Sequence, residues 1–516
     1  MSRSQEVVGS PEQENFWFNL LNGNSHIMLE ARAGTGKTFS CIQGCRRYLA
    51  ENPEANIAMV AYNKSIATEL EAQVPEGVTA CTMHSLGFKA IRNWIDGKVK
   101  VNNWKTINIL EDILGKKELK KLGSGFQYSM KKVVSLAKNV LVGRKSVIAS
   151  TVGDHFDRDF DSMVAHYNLQ LNGDEKKIKE LLPKVLDKSI PDLEGSTEID
   201  FDDMIWLPVV MGMSLEKFDV LFIDEAQDLN KSRQCLAVKS LAKDGRLIAV
   251  GDPKQAIYGF AGADAYSMRN LANEVGADDV IHLPLTVSRR CPKSHIELAQ
   301  KIVSDIKPMH LAMEGTIYTR DSKKAIEEMK GGDLVLCRMN APLMRIAYSL
   351  IKRGTPVTIQ GRDIGASLVT LCKKLVDGDM SADIFYFNTR LDSYLLDEIG
   401  RLDAKALHTP VSKIQYEMLQ DKVDCIGAMR DGIIIVHDLV ARIESLFSDN
   451  TDTVKAKVLL SSVHRAKGLE AETVYISRPE MMPHPMATLE WEIEQEFNIK
   501  YVAITRSMNT LVFMED

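Results

Sequence analysis

The sequence lacks the marks of an exported or membrane-bound chain. Its eight cysteines, at 41, 45, 81, 235, 291, 337, 372 and 425, include no C-x-x-C pair. No histidine cluster completes a zinc set, so they read as reduced, buried thiols of a cytoplasmic protein. No apolar stretch approaches the ~18 residues needed to span a bilayer. The opening "MSRSQEVVGSPEQENF" has no apolar core for a secretion signal. Low-complexity tracts and periods of 20–50 residues are missing too, which excludes collagenous and solenoid architectures. Excess positive charge is also missing. With 64 Lys+Arg against 70 Asp+Glu the net charge is −6, which excludes a wholesale nucleic-acid coat but leaves room for a local basic groove.

What is present is ample apolar material: 45% of 516 residues are hydrophobic and 26% charged, enough for about three to four domains. Short apolar runs alternate with longer helical patterns. The runs are "HIMLEA", "NIAMVAY", "VLFIDEA" and "RLIAVGD", then "DLVLCR", "PVTIQG", "KVLLSS", "TVYISR" and "TLVFME". Bounded by Gly, Asp or Asn, they read as parallel strands of α/β units. They fall into two groups, ~26–285 and ~330–516, each interrupted by a strand-poor helical segment at ~96–195 and ~365–455.

The first run leads into "ARAGTGKT", Ala31 to Thr38. Gly34 and Gly36 let the backbone turn its N–H groups inward around phosphate oxygens. Lys37 can reach β- and γ-phosphates, and Thr38 can ligate Mg²⁺. Ala33 and Thr35 complete the loop, whose first position is Ala31 rather than Gly. In "VLFIDEAQD" a strand delivers Asp224 and Glu225 at its C-terminal edge, where α/β sites lie. Asp224 suits Mg²⁺, and Glu225 suits polarising an attacking water. Together the motifs imply nucleoside-triphosphate hydrolysis with ATP and Mg²⁺.

The ordered motifs resemble those of the UvrD/Rep/PcrA-like superfamily-1 DNA helicases over nearly the whole chain. They are Gln13 in "SPEQENF", "MVAYNKSIATEL", "CTMHSLGFKAI", "DEAQD", "VGDPKQAIYGFAGA", "VSRRCP", "VTIQGRD", "SSVHRAKGLEAETVYI" and "YVAITRS". The wording of several is closer to phage-encoded or F-box-type relatives. The resemblance implies two RecA-like P-loop motor domains with parallel sheets, each carrying a mainly helical insertion. The first would be 1–95 and 196–285, with insertion 96–195; the second 286–364 and 456–516, with a reduced insertion 365–455.

It also implies roles. Gln13 would read adenine, Gln255 would sense the γ-phosphate, and Arg290 and Arg506 would act as arginine fingers from the second domain. Glu470 would hold the ribose, with Gly468 in the same loop. Tyr62, Asn63, His84, Tyr258, Phe260 and His464 would face DNA; stacking on such aromatics grips a strand without reading it.

Two departures stand out. Ala261 replaces the usual Arg after the second aromatic. Arg289 replaces an adenine-stacking aromatic, so either Arg289 or Arg290 is the finger. The reduced second insertion and the chain's end ten residues after Arg506 leave no nuclease expected. From Lys116 to Lys145, nine Lys/Arg stand against one acid. This marks Lys131 and Lys132 as backbone-phosphate contacts.

The resulting expectation is an ATP-dependent helicase or translocase on single-stranded DNA and ss/ds junctions, moving 3′→5′ in replication, repair or recombination. It would be a monomer or weak oligomer in a bacterial or phage-infected cell, near the nucleoid. Its partners would be single-strand-binding, replication or recombination proteins. Two alternatives stay open: a translocase that strips proteins and unwinds little, and a nucleotide-switched subunit of a larger complex.

Overall fold

The computed structural model describes residues 8–95, 97–142, 156–167, 169, 171, 173–191, 197–259, 262, 266–406, 413–447, 457–485 and 487–515. The chain divides into two units, 1–286 and 287–516.

Among the described residues the first unit has eight strands: β1 (His26–Ala31), β2 (Ile57–Ala61), β3 (Val78–Thr82), β4 (Lys100–Val101), β5 (Glu198–Ile199), β6 (Phe218–Ile223), β7 (Leu241–Gly251) and β8 (Val280–Leu285). Six form one parallel sheet in the order β3-β2-β6-β7-β1-β8, and β4 pairs with β5.

Each strand side feeds a separate core. Ile27 and Leu29 of β1, Met59 of β2, Phe222 of β6 and Val250 of β7 pack with Phe16, Trp17 and Leu20 of the helix Pro11–Asn22. Their neighbours Met28, Val60, Leu221 and Ala249 pack on the other face, with the helices that follow β3. Burial on both faces is why these runs read as unbroken apolar stretches. Four helices lie between β4 and β5: Lys105–Leu114, Lys116–Val140, Phe156–His166 and Glu175–Lys188. The second of these breaks at Gly123, whose φ is +81°.

The second unit holds the short pair β9 (Val287–Ser288) and β10 (Lys307–Pro308). It also holds β11 (Thr316–Asp321), β12 (Leu334–Cys337), β13 (Val357–Ile359), β14 (Val458–Ser462), β15 (Ala471–Ser477) and β16 (Ser507–Glu515). The last six form a parallel sheet ordered β11-β16-β15-β12-β14-β13. The helices Ile384–Ala406, Lys413–Ala428 and Val436–Leu446 lie between β13 and β14. Both units are therefore α/β with all-parallel main sheets, the RecA-like architecture.

Parallel register decides where chemistry gathers. Leu29 stands beside Val250, Ile223 beside both Val60 and Ala249, and Ala61 beside Thr82. The residues that follow these strand ends (Arg32, Tyr62, Met83, Asp224 and Asp252) thus emerge along one C-terminal edge, where open α/β sheets bind ligands.

Candidate functional site

β1 ends at Ala31, and the helix Lys37–Glu51 begins after the loop. The turn needs left-handed backbone at Gly34 (φ +72°) and Gly36 (φ +82°), cheap only for glycine. A Cβ on Gly36 would also lie 3.5 Å from the Gln13 amide nitrogen. Gly36 caps the helix without a side-chain bond, so the first-turn amides suit an anion. Ala33 and Thr35 are buried in the loop.

Gln13 is buried behind the loop. Its amide accepts from Ser10 N at 2.9 Å and donates to Ser40 Oγ at 2.9 Å. Trp17 Nε1 donates to Ser40 O at 2.9 Å. The upstream helix is therefore tied to the loop helix through Ser40, a residue the sequence reading did not single out.

β6 delivers the acids. Thr38 Oγ1 donates to Asp224 Oδ2 at 2.8 Å, and the Glu225 backbone N–H donates to Asp224 Oδ1 at 2.9 Å. Burial first, then the Glu225 charge, push the Asp224 pKa up, while Lys37 opposes them. Among the described residues no cluster of three or more His, Cys, Asp or Glu forms a cage. Two adjacent oxygens, Thr38 Oγ1 and Asp224 Oδ2, are nonetheless the donor set that fits Mg²⁺ arriving with phosphate oxygens and waters.

Glu225 has φ +56°, a strained setting for a non-glycine residue and a frequent mark of function. Its carboxylate accepts from Gln227 Nε2. Gln227 Oε1 in turn accepts from Asp252 N at 3.0 Å. Asp252 accepts from Gln255 Nε2 at 2.8 Å and from Arg32 at 3.1 Å. A continuous polar chain thus runs from the acid at the end of β6 to the loop after β7. Any side chain at Gly251 would meet Gln227 Oε1 at 2.3 Å. Neither Gln227 nor Arg32 was picked from sequence; the DEAQD and nucleotide-loop wording contains both but does not show the link.

A second surface adjoins this one within the first unit. Tyr62 follows β2 and Tyr258 follows the Gln255 turn; their rings stack 5.6 Å apart at 12°. Asn63 caps the helix Lys64–Glu71 by accepting from Ile66 N at 3.0 Å, which gives it a structural job. Phe260 and Ala261 lie outside the described residues. Tyr62, Tyr258, Tyr128, Lys131, Lys132 and Arg233 help line a cavity of about 520 Å³. Lys131 Nζ lies 5.6 Å from the Trp104 ring centre. Lys138, from the same basic run, is instead buried and paired with Asp200 at 2.6 Å and Asp203 at 2.8 Å. It belongs to the core. His84 meets Phe201 edge-on at 6.4 Å.

In the second unit, Arg289 is exposed and Arg290 is half-buried. Arg290 donates to Glu470 Oε2 at 3.2 Å. Arg506 is buried; it donates to Val502 O at 3.1 Å and to Leu469 O at 3.3 Å. Arg290, Glu470 and Arg506 therefore converge on one loop, with Gly468 at φ +91°. His464 is half-buried there. The Arg338–Glu496 pair, at 2.7 Å, was not anticipated.

Burial lowers four histidines: His26, His84 to about 4 (with help from Arg233), His295 to about 4, and His464 to about 3 (with help from Arg338). The unfolded chain titrates near pH 6.5 and so binds more protons than the native state below that value. The stabilisation is complete above about pH 6.5 and is lost as pH falls toward about 4 and, for His464, toward about 3. Urea midpoints measured from pH 7.5 down to 4.5 are expected to decline. A flat profile would show that these rings protonate without penalty.

Comparison with known proteins gives two family matches. The UvrD/REP helicase N-terminal domain matches residues 11–276, and the UvrD-like helicase C-terminal domain matches 429–515. The chain is 25% identical over 536 residues to F-box DNA helicase 1 of Gallus gallus, covering 100% of this chain and 50% of that protein. It is 23% identical to F-box DNA helicase protein 1 of Schizosaccharomyces pombe, covering 95% of this chain and 56% of the relative. It is also 23% identical to ATP-dependent DNA helicase PcrA of Bacillus subtilis, covering 65% and 48%. The chain spans about half the length of these relatives.

Proposed function

This chain belongs to the UvrD/REP helicase family, and from that membership and the site's geometry we propose that it hydrolyses ATP to move along single-stranded DNA, 3′→5′, and to unwind duplexes. The observation that carries the reading is the polar chain Glu225–Gln227–Asp252–Gln255. It joins the residue suited to orient a water to the loop that continues into Tyr258. A change at the γ-phosphate felt by Glu225 or Gln255 thereby reaches the aromatic surface through a few short hydrogen bonds. Motor coupling needs such a route.

Within this reading Lys37 and the first-turn amides hold the phosphates, and Gln13 reads the adenine. Thr38 and Asp224 hold Mg²⁺, which when bound offsets phosphate charge. Glu225 takes the proton of the attacking water. In the second unit, Arg289, Arg290, Arg506 and Glu470 are the candidates for nucleotide contact. Tyr62, Tyr258 and His84 face the strand, and Phe260 and His464 are further candidate contacts.

Strand displacement on 3′-tailed and 5′-tailed duplexes with ATP tests the proposal. Unwinding of the 3′-tailed substrate alone is expected. Unwinding only from 5′ tails would reverse the direction. DNA-stimulated ATPase with streptavidin displacement but no unwinding would favour a protein-stripping translocase. Absence of DNA-stimulated turnover would favour a nucleotide-switched subunit.

Replacing Lys131 and Lys132 by Gln is expected to weaken binding to single-stranded DNA. It should also make the slope of log K against log [salt] shallower by about 1.4, two phosphate contacts at about 0.7 each. An unchanged slope would remove this face of the helix Lys116–Val140 from the DNA path.

A further inference from the structure

The cavity beside the tyrosine pair contains a charge that no carboxylate answers. Arg233 lies on the helix Lys231–Lys239, and its backbone N–H donates to the capping Asn230 side chain at 3.0 Å. Its guanidinium lies over Tyr62, 5.7 Å from the ring centre. It lines the cavity together with Tyr258, Lys131 and Lys132. The Nε atom is buried without a hydrogen-bond partner, and Arg233 forms no ion pair among the described residues. Asp202 and Asp228 also line the cavity, but neither pairs with Arg233; Asp202 accepts from Asn139 at 3.4 Å.

A guanidinium cannot shed its proton to escape this setting. An unanswered, partly dehydrated charge is costly. A tyrosine face returns only part of that cost. The missing partner is an anion with at least two acceptor oxygens, the shape a guanidinium fork matches best. Two lysines on the same wall favour the same sign of ligand, and the stacked tyrosines offer a face to an aromatic group attached to it. A phosphodiester linked to a nucleobase satisfies all three.

We propose that Arg233 binds one backbone phosphate of single-stranded nucleic acid, next to the base that stacks on the Tyr62–Tyr258 surface. The inference rests on the DNA-motor reading above and adds to it a contact outside the recognised motifs. It also assigns Arg233 a positional effect: by holding the phosphate, it fixes where the adjoining base meets the aromatic pair.

The test is fluorescence anisotropy with labelled single-stranded oligonucleotides, with and without guanines, from 50 to 200 mM NaCl. It uses the full chain and its Arg233→Gln and Arg233→Lys variants, each checked by thermal melting. Arg233→Gln is expected to bind more weakly to every sequence, with a slope shallower by about 0.7. The gap to the parent protein then narrows about 2.6-fold across that salt range. Arg233→Lys should recover the slope and only part of the affinity.

Loss of affinity confined to guanine-containing strands would make Arg233 a base reader and overturn the proposal. So would unchanged binding and slope in Arg233→Gln when the parent protein binds DNA well. A parent protein that does not bind single strands would overturn the DNA-motor reading itself, and this contact with it.

Discussion

Glu225→Gln is expected to bind ATP and single-stranded DNA while turning over ATP at least about 100-fold more slowly, the usual contribution of a positioned general base. The substitution is close to isosteric and keeps an oxygen able to accept from Gln227 Nε2, so the chain to Asp252 survives. Asp224 keeps its bonds from Thr38 Oγ1 and from the backbone N–H of residue 225. It also loses the neighbouring charge that helps to push its pKa up, burial remaining the larger cause. Metal and phosphate binding should therefore hold or strengthen while proton abstraction fails. Single-turnover hydrolysis measured beside equilibrium nucleotide binding separates the two effects. Full turnover in the variant would remove Glu225 from the role of base.

The well-buried strands were legible because such burial demands continuous apolar runs, and all nine such runs are strands. Within the two main sheets three strands escaped notice, and all three are edges; the fourth edge, β13, is buried along its length and was read. β3 and β8 flank the first sheet and β11 flanks the second. "VTACT" is short and nowhere fully buried, "TIYTRD" is mostly polar and largely exposed, and "VIHLPL" carries a proline. An edge strand buries less and needs fewer hydrogen-bond donors, so its sequence carries a weaker signal.

The same logic divides the site. Gly34, Gly36, Lys37, Thr38, Asp224 and Glu225 could be read because their chemistry is set by neighbours within a few positions. The link of Arg32 to Asp252 spans 220 residues, and that of Glu12 to Thr286 spans 274. Only the register of the sheet creates them. Charge was legible as a run but not as a location. Lys131 and Lys132 line a cavity, whereas Lys138, nearly two turns later, neutralises Asp200 and Asp203 in the core. Arg233 followed the DEAQD motif in plain view. Its missing partner, however, is a fact about every element around it, and no local pattern encodes that.

Gly87→Ala is expected to lower the melting temperature of the first unit, although alanine is the better helix former by about 1 kcal/mol. Gly87 lies in the helix Met83–Trp94, against the helix Asp203–Val210. An added Cβ would fall 1.9 Å from Met204 O and 3.0 Å from Met204 C. Both are backbone atoms that cannot swing aside. The approach has a covalent cause. Four residues after Met204 stands Pro208, which has no N–H to offer that carbonyl, so the oxygen faces the neighbouring helix at the one position without a side chain. Restoring clearance means moving one helix off the other. Overpacking of this kind costs about 1–3 kcal/mol or more, equivalent to a drop of roughly 2–12 °C for a unit of this size. His84, one turn before Gly87, would move with its helix, so DNA affinity should fall alongside stability. Gly400→Ala, in the helix Ile384–Ala406 with nothing within 4 Å of the new Cβ, should instead be neutral or stabilising by up to about 1 kcal/mol. If both variants melt at or above the parent temperature, helix propensity outweighs the contact and the two helices do not meet as closely as Gly87 permits.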